Sequence, residues 1–393
     1  MSASPYRHHW QLDPGIVFLN HGSFGAAPTV VLEAQRRFQD ELEARPIQFL
    51  GTERGLEAKL DVVRESLAKV VGADAQDIGW VRNATDGVNA VMRSFPFESN
   101  DEVIITDHGY NACSNAVRFS AKRAGADVRV AAVPFPLEHS QQVVDAIVAE
   151  FSERTRLLVV DHITSPTGLV LPLEQIIRAA HERGILVMVD GAHAPGQIPV
   201  DLEMLQADYY TANHHKWLCA TKASGFLWVR RELQASVRPT VISHGANKPR
   251  PGRSRFLAEF DWVGTWDATT VLSVKPAIEF LEGLMPGGLI ALMEANRNLA
   301  LQARACLLES QGIEAPAPVD MIAALLTIPV VGGPSGDESG DLLKQRLYTG
   351  HRIEVPIFPG PSSCPRLMRT SSQAYNDIGE YRLLSEALAS LLS

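Results

Sequence analysis

Through residue 229, short apolar runs rich in β-branched residues alternate with stretches whose apolar positions recur at helical spacing. The runs at 16–19, 77–82, 101–106, 128–133, 155–160, 185–189, 207–211 and 225–229 are predicted strands. Between them, residues 29–45 set Val30, Val31, Leu32, Phe38 and Leu42 among charges, and residues 54–71 end at Gly72, a residue suited to a helix C-terminus. Further helices are predicted after residues 83–87, through Val88, Val91 and Met92, then through Val117 and Phe119, and over 143–151 and 173–183. The first helix is expected to stop before Pro46, because the residue preceding a proline is pushed out of helical geometry. This alternation predicts an α/β fold, a mainly parallel sheet with helices on both faces. Such sheets bind ligands outside the C-terminal ends of their strands, so the loops at Thr85, His108, Ser165, Asp190 and His215 are expected to share one edge.

Beyond residue 229 the pattern changes. Helices are predicted over 270–283 and 289–312, a strand over 323–331, a polar loop at 332–336, a helix over 342–348, strands over 353–358 and 367–371, and a last helix. The mixture predicts a smaller C-terminal α+β domain. The division is 1–20 as an N-terminal arm, 21–265 as the large domain and 266–393 as the small one.

Composition narrows the class. The 393 residues are 46% hydrophobic, ample for a sizeable core, and carry a formal charge of −9. That charge argues against nucleic acid and anionic membrane as partners, which require basic surfaces. Arg250, Arg253 and Arg255 form the one noticeable basic cluster, expected as an exposed loop. Cys113, Cys219, Cys306 and Cys364 are far apart and lack the spacing of a zinc site or a disulfide framework, so reduced thiols, no metal and a cytoplasmic location are expected. No segment has the length and apolarity of a signal peptide or a membrane span.

The candidate chemistry lies on two strand ends. Asp190 closes the apolar run Ile185-Leu186-Val187-Met188-Val189, so its carboxylate emerges at the ligand edge. Lys216 follows the run at 207–211 and is flanked by His215, Trp217 and Leu218, surroundings that desolvate an ammonium and lower its pKa. An amine tuned in this way forms Schiff bases. A lysine joined to an acid that protonates a pyridine nitrogen is what pyridoxal phosphate requires. Residues Asn83-Ala84-Thr85-Asp86-Gly87 open a helix and offer backbone amides to a phosphate, with Thr85 either an ordinary N-cap or a ligand.

Together with Phe18-Leu19-Asn20-His21-Gly22-Ser23-Phe24-Gly25, Asp107-His108-Gly109-Tyr110-Asn111-Ala112, Thr164-Ser165-Pro166-Thr167-Gly168, Asp190-Gly191-Ala192-His193-Ala194-Pro195-Gly196 and His214-His215-Lys216-Trp217-Leu218, these segments resemble the class V aminotransferase superfamily of pyridoxal phosphate enzymes, fold type I. The similarity is greatest to its isopenicillin N epimerase-like branch and spans essentially the whole chain. The resemblance implies that Lys216 carries the cofactor and moves the α-proton, that Asp190 meets the pyridine nitrogen and that His193 lies near the phenolic oxygen. It further implies that Asn83, Ala84, Thr85, Asp86, Asn213 and His215 surround the phosphate, with Ser165 also at the cofactor, and that His108 or Tyr110 stacks on the ring. Arg369 would grip the substrate α-carboxylate, with Asn20 and His21 facing the substrate. Thr265 would reach the phosphate of the other subunit, so a homodimer with shared active sites is implied.

The expected substrate is an amino acid or amino-acid conjugate. Once the α-proton has left, its return on the opposite face gives epimerisation, with His108, Tyr110 or His193 as the second acid. Loss of a β-substituent instead gives the reaction of a carbon–sulfur lyase. Epimerisation is the first expectation and β-elimination the alternative. An aminotransferase and a non-catalytic relative are more distant. So is a cysteine desulfurase, because Cys364 lies just before Arg369 in a proline-rich stretch unlike a mobile loop.

Overall fold

A computed structural model describes residues 4–332, 341–361, 364 and 366–392. Its strands are β1 (Val17–Phe18), β2 (Ile78–Val81), β3 (Glu102–Thr106), β4 (Asp127–Ala131), β5 (Thr155–Asp161), β6 (Leu186–Asp190), β7 (Tyr209–Asn213), β8 (Gly225–Val229), β9 (Leu325–Pro329), β10 (Ile353–Glu354), β11 (Ile357–Pro359) and β12 (Arg366–Ser371). Seven of them form one sheet in the order β2-β8-β7-β6-β5-β3-β4. From β7 to β4 the strands are parallel, whereas β8 runs antiparallel to both of its neighbours. The α/β architecture expected from the alternation is therefore present, with helices packed over the sheet. Strand β6 reads Leu-Val-Met-Val-Asp and is buried on both faces except at its first residue. Each such aliphatic side chain removed from water contributes about 1.5–3 kcal/mol.

Register aligns the strand ends that matter. Asp161 pairs with Asp190, and Asp190 with Thr211, so the last residues of β5 and β6 lie side by side, next to the middle of β7. The helix Ala84–Ser94 starts at the same edge. Its N-cap is Asn83, whose side chain accepts from the Asp86 amide at 2.9 Å. Thr85 is thus released from capping.

The C-terminal region adds the antiparallel sheet β11-β12-β9, with its own core of Leu326, Ile328, Leu343, Met368 and Leu384 among others. Leu19 from the N-terminal arm belongs to that core, and β1 pairs in parallel with β10. The helices Thr269–Leu272 and Val274–Gly283 pack against Thr29–Ala44 and Glu57–Val71.

Local departures have physical reasons. The first helix ends at Ala44, before Pro46 as expected, and Pro46 in turn occupies the first turn of a new helix, Pro46–Leu50, where a missing N–H is harmless. The predicted strand at 353–358 divides into β10 and β11, which belong to different sheets. Pro356 lies at the break, and its carbonyl accepts from the Arg369 amide at 3.1 Å. The arginine cluster is pinned by carboxylates. Arg250 meets Glu57 at 3.0 Å, Arg253 meets Asp61 at 2.9 Å and also Asp261, and Arg255 meets Glu259 at 3.5 Å. The loop at 247–254 is largely exposed, as expected, its arginines are tied by ion pairs to the helix Glu57–Val71 and to Asp261, and residues Arg255–Phe260 form a helix. Of the polar loop at 332–336, residues 333–336 lie outside the described residues. Among the described residues, no single helix is long and apolar enough to cross a membrane.

Candidate active site

Lys216 lies in the connection between β7 and the antiparallel β8, so both ends of its loop are fixed to one sheet. The His214 amide donates to the Ser224 carbonyl at 3.1 Å, and the Ala220 amide to the His214 carbonyl at 3.1 Å. The N-terminal arm presses on the same loop. Gly25 has φ +67°, and a Cβ there would lie 1.8 Å from the His215 carbonyl oxygen. Only glycine permits that conformation and approach. His21, fully buried, donates from Nε2 to the Lys216 carbonyl at 2.9 Å, and its Nδ1 is 2.9 Å from the Tyr375 hydroxyl.

The Lys216 ammonium is disfavoured chiefly by burial and then by the Arg369 guanidinium. Asp190, Cys113 and Asp161 oppose this, and the result is a pKa of about 8. Its Nζ sits 3.0 Å from His193 Nε2. Asp190, buried, accepts from the Ala192 amide at 2.9 Å and from the Cys113 thiol at 3.0 Å. Burial, followed by the charge of Asp190, pushes the neighbouring Asp161 well above the carboxylate range. Two adjacent buried carboxyls do not both ionise readily, so Asp161 is the one held as an acid.

Arg369 is buried and has no carboxylate partner. Nη1 donates to the Ser165 carbonyl at 2.6 Å and to its hydroxyl at 3.2 Å, and Nη2 donates to the Ser23 hydroxyl at 3.1 Å. Its Nε meets no acceptor among the described residues. Burial lowers its pKa to about 10, against a raising influence of Tyr110, which leaves it charged at neutral pH. A desolvated cation without a counter-ion is costly unless an anion completes it.

The structure sorts the remaining predicted residues. Asn213 Oδ1 accepts from the Ala84 amide at 3.0 Å, tying β7 to the phosphate-type helix terminus. The Asp86 carboxylate is taken by Arg82 at 3.3 Å and the Thr240 hydroxyl at 2.7 Å, and its amide by Asn83. Among the described residues, the Thr85 amide meets no acceptor at that terminus. His215 Nδ1 is 3.4 Å from the Ser224 carbonyl, and burial holds this histidine to about 4. His108 is fully enclosed, with Nδ1 on the Thr167 hydroxyl at 2.8 Å and Nε2 donating to the Val133 carbonyl at 3.1 Å. Tyr110 is 47% exposed and stands free at the edge.

His21 and Asn20 do not face an open site in the manner expected. Asn20 is bound to Glu354 at 3.1 Å and to Ser23 at 2.6 Å, and it reaches Arg369 only through Ser23. Thr265 is exposed and shares a cavity of about 600 Å³ with residues such as Ile47, Lys248 and Trp262. Lys216, Asp190 and Arg369 do not line it. Ser23, Cys113 and Asp161 were not among the predicted site residues. Asp161 closes an apolar strand as Asp190 does, and that signal was available.

The donor set fits pyridoxal phosphate: a desolvated amine, a buried acceptor carboxylate and an unpaired amide at a helix N-terminus, where anions are favoured. Fold and site together define a fold type I pyridoxal phosphate enzyme. The aminotransferase class-V family profile matches residues 17–381, and the chain belongs to that family. It is 34% identical to isopenicillin N epimerase of Amycolatopsis lactamdurans, over 98% of this chain and 97% of that one. It is 28% identical to a probable chloroplastic L-cysteine desulfhydrase of Arabidopsis thaliana, over 99% and 85%. Among solved structures it superposes on the cystine C–S lyase C-DES in complex with cysteine persulfide, with TM-score 0.82, 22% identity and coverage of 97% and 99%.

Proposed function

We propose that this protein binds pyridoxal phosphate and removes the α-proton of an amino acid, with epimerisation as the outcome. The buried guanidinium of Arg369, with an orphaned Nε and no carboxylate beside it, carries this reading, because it is a site made for a substrate carboxylate. Bound cofactor supplies an electron-withdrawing ring that acidifies the α-carbon. Lys216 would hold the cofactor aldehyde and, once the substrate amine takes its place there and frees it, would be the base for the α-proton; its pKa of about 8 suits proton transfer near neutral pH. Asp190 holds the pyridine nitrogen, and the Thr85 amide with His215 takes the phosphate. Thr265 serves the partner copy of a homodimer. Tyr110, open to solvent and within electrostatic reach of Arg369, would be the ring that stacks on the cofactor and returns the proton on the far face. The enclosure of His108 by Thr167 and Val133 supports this choice.

β-Elimination is the second reading. It needs Lys216 alone as base, and the cysteine desulfhydrase relative supports it. Incubation with a panel of amino acids and cysteine conjugates in deuterated water separates the two. Deuterium at the α-carbon with loss of chirality supports epimerisation, and in Tyr110→Phe that loss of chirality stops. A ketoacid with a released thiol or sulfenate, undiminished in Tyr110→Phe, favours the lyase. Neither product across the panel refutes both.

A further inference from the structure

We propose that Trp217 is a positioning residue: its indole N–H fixes the tautomer of His193, and His193 in turn holds Lys216 as the free amine. The His193 ring lies between two groups. Trp217 Nε1 is 3.4 Å from Nδ1, and Lys216 Nζ is 3.0 Å from Nε2. An indole nitrogen only donates, so Nδ1 must present its lone pair. A neutral imidazole then carries its proton on Nε2, aimed at Lys216. That N–H repels an ammonium and is satisfied by the lone pair of an amine. The chain from Trp217 to Lys216 is therefore complete only when Lys216 is uncharged.

The surroundings agree. Burial, Lys216, Arg369, His215 and His21 all keep the His193 ring neutral. Around Lys216, burial and Arg369 disfavour the charge while Asp190, Cys113 and Asp161 favour it, and the His193 contact adds to the first group. Trp217 is fully buried, and its backbone is fixed by Gly196, which with φ +88° packs so closely that a Cβ there would lie 2.5 Å from the Trp217 carbonyl carbon. The inference rests on Lys216 as the reactive amine, although its test does not require the cofactor.

Lys216 in the cofactor-free protein is titrated by pH-dependent labelling with fluorodinitrobenzene, read by peptide mass spectrometry. Trp217→Phe keeps most of the ring volume and deletes the N–H. Its labelling midpoint is expected to rise by about half a unit to one unit, the scale of one modest hydrogen bond. In a His193→Ala background, Trp217→Phe shifts the midpoint no further. Nitrogen-15 spectra of histidine-labelled wild type show His193 protonated on Nε2. An unchanged midpoint in natively folded Trp217→Phe overturns the proposal, as does an equal shift without His193, or an Nδ1–H tautomer in the wild type. If Trp217→Phe does not fold, the wild-type tautomer decides alone. Failure of the cofactor reading appears separately, as absence of pyridoxal phosphate binding with these titrations intact.

Discussion

At the residue scale, two buried cations define the site and behave oppositely under mutation. Arg369 is held by Ser23 and Ser165 without an anion, so Arg369→Ala is expected to raise KM for amino acids at least tenfold while cofactor affinity is kept, as a visible-absorbance titration would record. An unchanged KM removes it from the substrate site. Lys216 has its pKa lowered by burial, so the fold disfavours its charge. The resulting cost is full below pH 8 and fades as pH rises from about 8 to the unfolded value near 10.4. Lys216→Met should therefore raise the melting temperature of the cofactor-free protein at pH 7 by a few degrees, measured calorimetrically. A lower melting temperature would mean that the ammonium is solvated. Asp190 and Lys216 were legible in the sequence because each closes or follows a strand, whereas Arg369, inside β12, was singled out by the family resemblance. His21 was legible only as a site residue of some kind. Its partners, Lys216 and Tyr375, are 195 and 354 positions away, and no local pattern reports contacts of that range.

Elements explain how those residues come to be in place. The helix Ala84–Ser94 offers Thr85 because Asn83 caps it. Asn83→Ala should cost about 1 kcal/mol of stability and weaken pyridoxal phosphate binding, measured by titration, more than it weakens binding of pyridoxal without the phosphate. Equal losses for the two ligands would remove the helix terminus from phosphate binding. Gly25→Ala meets both a left-handed backbone and the His215 carbonyl, so it should abolish cofactor binding in whatever protein remains folded by circular dichroism. Element boundaries were partly legible. Gly72 closes the helix Glu57–Val71 as predicted, in the left-handed conformation. Pro46 marked the end of the first helix but hid the helix that it opens, and Pro356 misled, since it interrupts a strand without any change in hydropathy.

For the whole molecule, the strand-and-helix alternation conveyed the mainly parallel sheet. The reversed direction of β8 was hidden, because Gly-Phe-Leu-Trp-Val is equally apolar in either orientation. A property of the entire fold is its store of buried neutral histidines. Burial holds His21 and His214 to about 3, His162 and His215 to about 4, and His193 well below its usual value. Each binds a proton on unfolding at a pH where the folded protein does not. The stability they confer is complete above pH 6.5 and is lost as pH falls through 6.5 toward 4 or below, at up to ~1.4 kcal/mol per histidine per pH unit. Urea unfolding at pH 7, 6 and 5 should show a steepening loss, and a flat profile would place these rings in water.

The loop between β7 and β8 has a consequence for how such a protein diversifies. Its nucleophile is anchored by two adjacent strands and an N-terminal glycine turn. The cavity at Ile47, Lys248 and Trp262 is built from other segments, whose ion pairs run to the helix Glu57–Val71. Substitutions in those walls can accumulate without disturbing the amine. A library confined to residues 46–51 and 244–250 should therefore keep the first proton transfer, whereas one confined to 214–224 should yield mostly inert protein.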